Sequence, residues 1–221
     1  MKYRTVVLAG AAITLGSAAL VARRSRVGAT EAEAALPLPG DELLEAVVQN
    51  DRAITVPAPP EAVWPWIAQL GQHRAGFYSF EVLENLIGCE IRNADTIHPE
   101  WQNIDVGDPF PLAPEMSLRV AEVVPGERLV VTSEGGTHPD PSIAFDATWG
   151  FYLTATTTDG RPATRLHLRE RYWAGDRRTE RMLGATSVMS AVMSWKMLRT
   201  IRRLASGQRS SAPESRPPHS Q

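Results

Sequence analysis

The chain is 221 residues long and 43% hydrophobic, and its 23 basic and 25 acidic side chains leave a formal net charge of −2. So even a balance excludes the basic footprint of a dedicated nucleic-acid binder, and no nucleic-acid partner is expected. A single cysteine, Cys89, excludes an intramolecular disulfide framework, and the length suits one domain of roughly 150 residues with appendages.

Residues 5–22, TVVLAGAAITLGSAALVA, carry no charge and lie between Lys2 and Arg4 on one side and Arg23, Arg24 and Arg26 on the other. Length and flanks predict a single-pass membrane anchor, residues 1–28. The alternative is a cleaved signal peptide. Three arginines directly after the apolar run disfavour cleavage there, and the small-residue pattern Ala32-Glu33-Ala34 lies too far along. The slight excess of basic residues on the C-terminal flank places the domain on the cytoplasmic side. Residues 29–40, ending in Pro37, Pro39 and Gly40, read as a linker.

The folded domain is expected over residues 41–205. A short strand at 52–56 puts Ile54 and Val56 on one face. Pro59, Pro60 and Glu61 then start a helix carrying Val63, Trp64, Ile67 and Leu70, bent at Pro65 and stopped at Gly71. A second helix is predicted over 79–87, with Val82, Leu83 and Leu86 on its apolar face and Gly88 as its stop. Residues 93–114 are rich in Asn, Asp, Pro and Gly and read mostly as loop. Strands follow at 117–124, 129–133, 145–157 and 164–173, the last two joined at the Asp159-Gly160 hairpin signal. Alternation turns Phe145, Ala147, Trp149, Phe151, Leu153 and Ala155 inward on one strand, and Leu166, Leu168 and Tyr172 on the other. Arg165, His167, Arg169 and Arg171 are then expected on a solvated face. A long helix over 177–205 closes the domain, with Met182, Ala185, Met189, Val192 or Met193, and Lys196 along one stripe. Residues 206–221, rich in Ser, Pro and Arg, are expected to be a disordered tail. Strands grouped between helices imply an α+β fold.

The segment RAITVPAPPEAVWPWIAQLGQHRAGFYSFEVLENLIGCEIRNADTIHPEWQNIDVGD, residues 52–108, resembles the start of proteins in the SRPBCC or START-like superfamily, which includes polyketide cyclases and lipid-transfer domains. It is most similar to a membrane-anchored bacterial, largely actinobacterial, subgroup that has no settled activity. The resemblance extends over residues 41–205 and implies a helix-grip fold. In that fold a curved antiparallel sheet wraps around the long C-terminal helix, with a cavity between them. One departure is His73-Arg74-Ala75 where a smaller, Gly-richer run is usual. As a lid over the cavity, these bulkier residues would narrow its entrance.

Within that expected fold, Trp66, Phe77, Tyr78 and Phe80, Trp149 and Phe151, Leu166 and Leu168, and Met189 and Met193 either line an open apolar pocket or fill a core. Flexible methionines suit a cavity that accepts varied shapes. Glu170 shares the inward face of its strand. A carboxylate there is a ligand anchor, a general base, or one half of a buried ion pair with an arginine, unless a bulge turns it outward. The loop residues Asn93, Asp95, Trp101, Asp105 and Asp108 read as structural. No GxSxG, Walker or dinucleotide motif is present, and the histidines lack ligand spacing, so neither metal nor cofactor is expected. The expected function is binding of a hydrophobic small molecule or lipid at the membrane. The alternatives are a polyketide cyclase-like enzyme using Glu170 as its acid, and an interaction module with a filled core.

Overall fold

A computed structural model describes residues 27–86, 88–137 and 145–207. The anchor expected over residues 5–22 lies outside the described residues. So does the expected tail, except for Ser206 and Gly207, which end the last helix. No described helix is long and apolar enough to cross a membrane.

In chain order the elements are α1 (Glu31–Ala35), β1 (Val48–Val56), α2 (Pro60–Ala68), α3 (Glu81–Leu86), β2 (Pro109–Ala113), β3 (Met116–Val124), β4 (Arg128–Thr137), β5 (Phe145–Thr158), β6 (Arg161–Ala174) and α4 (Arg177–Gly207). The strands form one antiparallel sheet in the order β1-β6-β5-β4-β3-β2. α4 packs against β1 and β6 and touches α2. The architecture is α+β and helix-grip, a curled sheet holding the long C-terminal helix.

The inner face of the sheet and α2 build the core. Val63, Trp66 and Ile67 of α2 are buried with Leu129 and Val131 of β4, Phe151 of β5, and Leu166 and Leu168 of β6. From α4 this core receives Met197, Leu198, Ile201 and Ala205. The β5–β6 hairpin closes on Asp159 and Gly160, both at positive φ, the geometry that matches the twist of the flanking strands. β1 and β2 are among the strands that differ from expectation. β1 begins four residues earlier because its Asn50, Asp51 and Arg52 are buried with polar partners. β2 forms at the edge of the sheet in what reads as loop, since an edge strand tolerates Pro109 and Pro111 and alternation still buries Phe110.

The outer face of β6 is not solvated. His167 and Arg169 are buried, because the segment expected as a linker lies over them. Thr30 and Glu33 form a reciprocal capping box that starts α1. Glu33 then grips Arg165 through two hydrogen bonds of 2.6 and 2.8 Å, and this bond holds its carboxyl down at about 2. All five donors of the Arg169 guanidinium are engaged. They reach Asp51 and Asp41 at 2.7 Å each and the carbonyls of Glu33, Ala34 and Leu36. Burial pushes the Asp51 carboxyl up, but hydrogen bonds from His167, Gln49 and Arg169 outweigh it and hold the group below its ordinary value. The docked segment reaches back to Val27, whose carbonyl accepts from Ala53 N, and Gly28, which bridges to Arg52. A Cβ at Gly28, which has φ +73°, would lie 2.2 Å from the Ala53 oxygen. Residues 27–40 therefore pack against the sheet.

Both helices near the cavity are rotated from their expected faces. On α3, Val82 and Leu86 are exposed at 80% and 81%, while Glu84 is buried. Asn85 holds both the N–H and the carbonyl of Ile91, and Glu81 accepts from Asn93 N, so polar anchors set the rotation. On α4 the buried stripe is Leu183, Ser187, Ala191, Ser194, Leu198, Ile201 and Ala205, with Val192 and Trp195 facing out and Met189 half exposed at the rim of the cavity described below. The side chains of Met182 and Ala185 lie outside the described atoms.

Candidate functional site

Between the inner face of the sheet and the middle of α4 lies a cavity of about 330 Å³. Its walls are Phe77 and Ile91 from the α2–β2 connection, Leu112 of β2, Trp149 of β5, and Met189, Met193 and Met197 of α4. Its floor is polar: Glu170 and Tyr172 of β6 meet Ser187, Ser190 and Ser194 of α4. Ser79, Glu84 and Cys89 complete the lining on the side of α3.

The floor is built around Glu170, which is 1% exposed. Ser190 Oγ lies 2.8 and 2.7 Å from its two carboxyl oxygens, Ser194 Oγ donates at 3.0 Å, and Tyr172 OH donates at 3.3 Å. Trp149 Nε1 in turn donates to Tyr172 OH at 3.3 Å. Burial, then the neighbouring Glu170 charge, drives the Tyr172 phenol well above its ordinary value, so it stays a donor. The compensating charge is Arg52 of β1, fully buried, with Nη1 2.8 Å from Glu170 Oε1. No directed hydrogen bond forms at that nitrogen, so the contact is one of charge. Asn50, paired across the ladder with Glu170, donates to Ser187 Oγ at 3.1 Å.

The α3 side is different. Glu84 is 4% exposed and its Oε2 has no hydrogen-bond partner among the described residues; nor has Ser79 Oγ. Burial, with the like charge of Glu81 added, pushes the Glu84 carboxyl up to about 7. Burial and the nearby Glu84 also raise the Cys89 thiol.

Of the residues singled out from the sequence, Phe77, Trp149, Glu170, Met189 and Met193 line the cavity. Trp66, Phe151, Leu166 and Leu168 lie in the core beneath it. Tyr78 is also core. Its ring meets Trp66 edge to face at 5.9 Å, and its hydroxyl accepts from Gln69 at 2.8 Å. Phe80 sits outside under Lys196 Nζ, 5.9 Å from its ring centre, in a shallow groove with Trp195 and Arg199. His73 and Arg74 do not lid the cavity. They border a separate groove, and Arg74 is tied to the carbonyls of Ala68 and Trp101. The Asn93 loop knits the connection together: its side chain accepts from Tyr78 N and donates to the Ser79 carbonyl.

Sequence reasoning missed Arg52, Ser187, Ser190, Ser194 and Glu84. The first four carried a signal. Arg52 shares the parity of Ile54 and Val56, and the three serines recur at helical spacing on one face of α4. Glu84 carried none, because on its six-residue helix the apolar pattern points the other way. Among the described residues no group of three or more His, Cys, Asp and Glu side chains is placed to hold a metal ion.

No family model matches the chain, and no curated protein does. Among solved structures it is similar to protein MLL2253 from Mesorhizobium loti, at 19% identity and a TM-score of 0.44 over 75% of this chain and 100% of that one. It is also similar to protein NE0264 from Nitrosomonas europaea, at 13% identity and 0.43 over 78% and 99% of the two chains. Ara h 8.0201 shares 12% identity and a TM-score of 0.40 over 72% and 97%.

Proposed function

We propose that the chain binds a small hydrophobic molecule in the cavity between the sheet and α4, at a membrane to which residues 5–22 anchor it. The observation that carries this reading is an apolar cavity whose floor is a charge-paired, hydrogen-bonded cluster. That cluster is satisfied within itself, so the apolar space above it is left to a bound molecule. At about 330 Å³ it falls at the small end of ligand pockets, roughly 300–1,000 Å³. It is roughly twice the size of a cavity of about 150 Å³ that takes benzene. The occupant is therefore a body of about a dozen non-hydrogen atoms on that scale, smaller than a two-chain lipid. Binding comes from burial of its apolar surface, at roughly 25 cal/mol per Å², with the adaptable Met189, Met193 and Met197 closing around it.

A cyclase-like reaction through Glu170 is less well supported. Its carboxylate oxygens already face Ser190, Ser194, Tyr172 and Arg52, which leaves no open position for a substrate proton. Native mass spectrometry of the purified full chain, followed by solvent extraction, tests the binding reading. A reproducible co-purifying hydrophobic mass supports it. Repeated empty protein that takes up no hydrophobic probe overturns it in favour of an interaction module.

A further inference from the structure

The two ends of the cavity differ in what they leave undone. At the floor, charge and hydrogen bonding are closed: Glu170 has Arg52 and three hydroxyl donors. On the α3 side, Glu84 Oε2 and Ser79 Oγ are buried in the cavity lining with no donor to either among the described residues. Glu84 Oε2 is an acceptor, Ser79 Oγ can accept as well as donate, and the carboxylate is uncompensated. Its own helix adds only the like charge of Glu81, the following loop adds the Cys89 thiol, and the sheet opposite presents Glu170 and Tyr172 with Arg52 already spent. α4 contributes serines and methionines to the lining, while its Lys196 is engaged outside over Phe80. An unpaired buried acceptor is costly and asks for a partner.

Resting on the binding reading above, we propose that the α3 side of the cavity is a subsite for a protonated amine, so that the ligand is a compact hydrophobic amine whose ammonium is received by Glu84 and Ser79. A hydroxyl brings one donor and no charge. An ammonium brings three donors and the missing positive charge, and so satisfies both orphaned acceptors. An anionic ligand meets repulsion there. Since Glu84 titrates near neutrality, amine binding strengthens as the pH rises through about 7 and the carboxylate forms.

The test is isothermal titration of the full chain in zwitterionic nanodiscs, with empty discs subtracted, using 1-naphthylmethylamine, 1-naphthalenemethanol and 1-naphthoate. At pH 8 the amine is expected to bind about ten-fold or more tighter than the alcohol, a difference of about 1.4 kcal/mol, with the carboxylate weakest. At pH 5.5 that ratio should shrink several-fold, and in Glu84→Gln it should fall to near one at both pH values. Thermal unfolding of Glu84→Gln confirms that the variant is folded. An alcohol that binds as tightly as the amine, or a preference that persists in Glu84→Gln, overturns the amine subsite and leaves the binding reading standing. If no probe binds at either pH, both fall together.

Discussion

Glu84 shows how one buried carboxyl couples stability to pH. Its folded value of about 7, against 4.5 for the free group, means that the native state holds a proton over a window in which the unfolded chain has lost it. Stability is therefore greatest at the acidic side, falls as the pH rises through that window, and stays lower above it, by up to about 3 kcal/mol. Glu84→Gln removes the titration. Urea unfolding should find the variant more stable than the parent at pH 8 and nearly equal to it at pH 5. Equal stability at both would show that the group is not desolvated. The Arg52–Glu170 pair behaves differently, because each partner is the other's compensation. Arg52→Met leaves Glu170 charged and buried and should cost about 3–5 kcal/mol, while Arg52→Met with Glu170→Met should recover much of that loss. A double-mutant cycle reads the coupling. Strictly additive losses would mean that the 2.8 Å contact contributes little.

At the scale of elements, the segment 27–47 behaves as a strap across the outer face of β1 and β6. Its attachment is polar: Arg169 alone reaches five acceptors, four of them on the strap, and Tyr152 OH donates to the Pro39 carbonyl at 2.6 Å. This explains why hydropathy did not reveal it. Prolines, acids and a glycine read as a linker when alone, and arginines alternating with leucines read as a solvated face. Only the pairing of the two patterns in space makes both buried. The same logic governs α4, where Ser190 and Ser194 turn to the sheet because Glu170 lies beneath them. Arg169→Met should strip the strap of its central tie and leave Asp51 without its guanidinium partner. A loss of about 3–5 kcal/mol in chemical denaturation is expected for breaking a buried pair, together with new proteolytic cleavage in residues 29–47. A melting temperature within a degree of the parent would show that the strap holds without Arg169. The sheet beneath also depends on Gly150, since a Cβ there would fall 2.1 Å from the Tyr152 hydroxyl that binds the strap.

For the whole molecule, the legible part was what repeats. Alternation along β5 and β6 turned Trp149, Phe151, Leu166, Leu168 and Glu170 to one face, the order of strands and helices implied α+β, and the family resemblance implied the helix-grip arrangement now seen in the sheet and α4. The cavity was legible only in part, because periodicity tells which face is buried but not whether that face is filled. Phe151, Leu166 and Leu168 lie at the same parity as Trp149 and Glu170, yet they fall below the cavity where α2 and the second half of α4 close over the sheet. The difference between an open cavity and a tightly packed core is itself measurable. Cys89 is a free cysteine, partly exposed, that lines the α3 side of the cavity. If the space beside it is open, Cys89→Phe places a ring against Phe77 and Met193, buries apolar surface at roughly 25 cal/mol per Å², and raises the melting temperature of the unliganded protein. It should also weaken binding of any hydrophobic probe, because the ring takes the probe's place. If instead the region is packed to the density of an ordinary core, the added bulk has nowhere to go and should cost about 1–3 kcal/mol of stability. Stability gained with binding lost is the outcome expected of a protein that leaves its centre unfilled for a ligand.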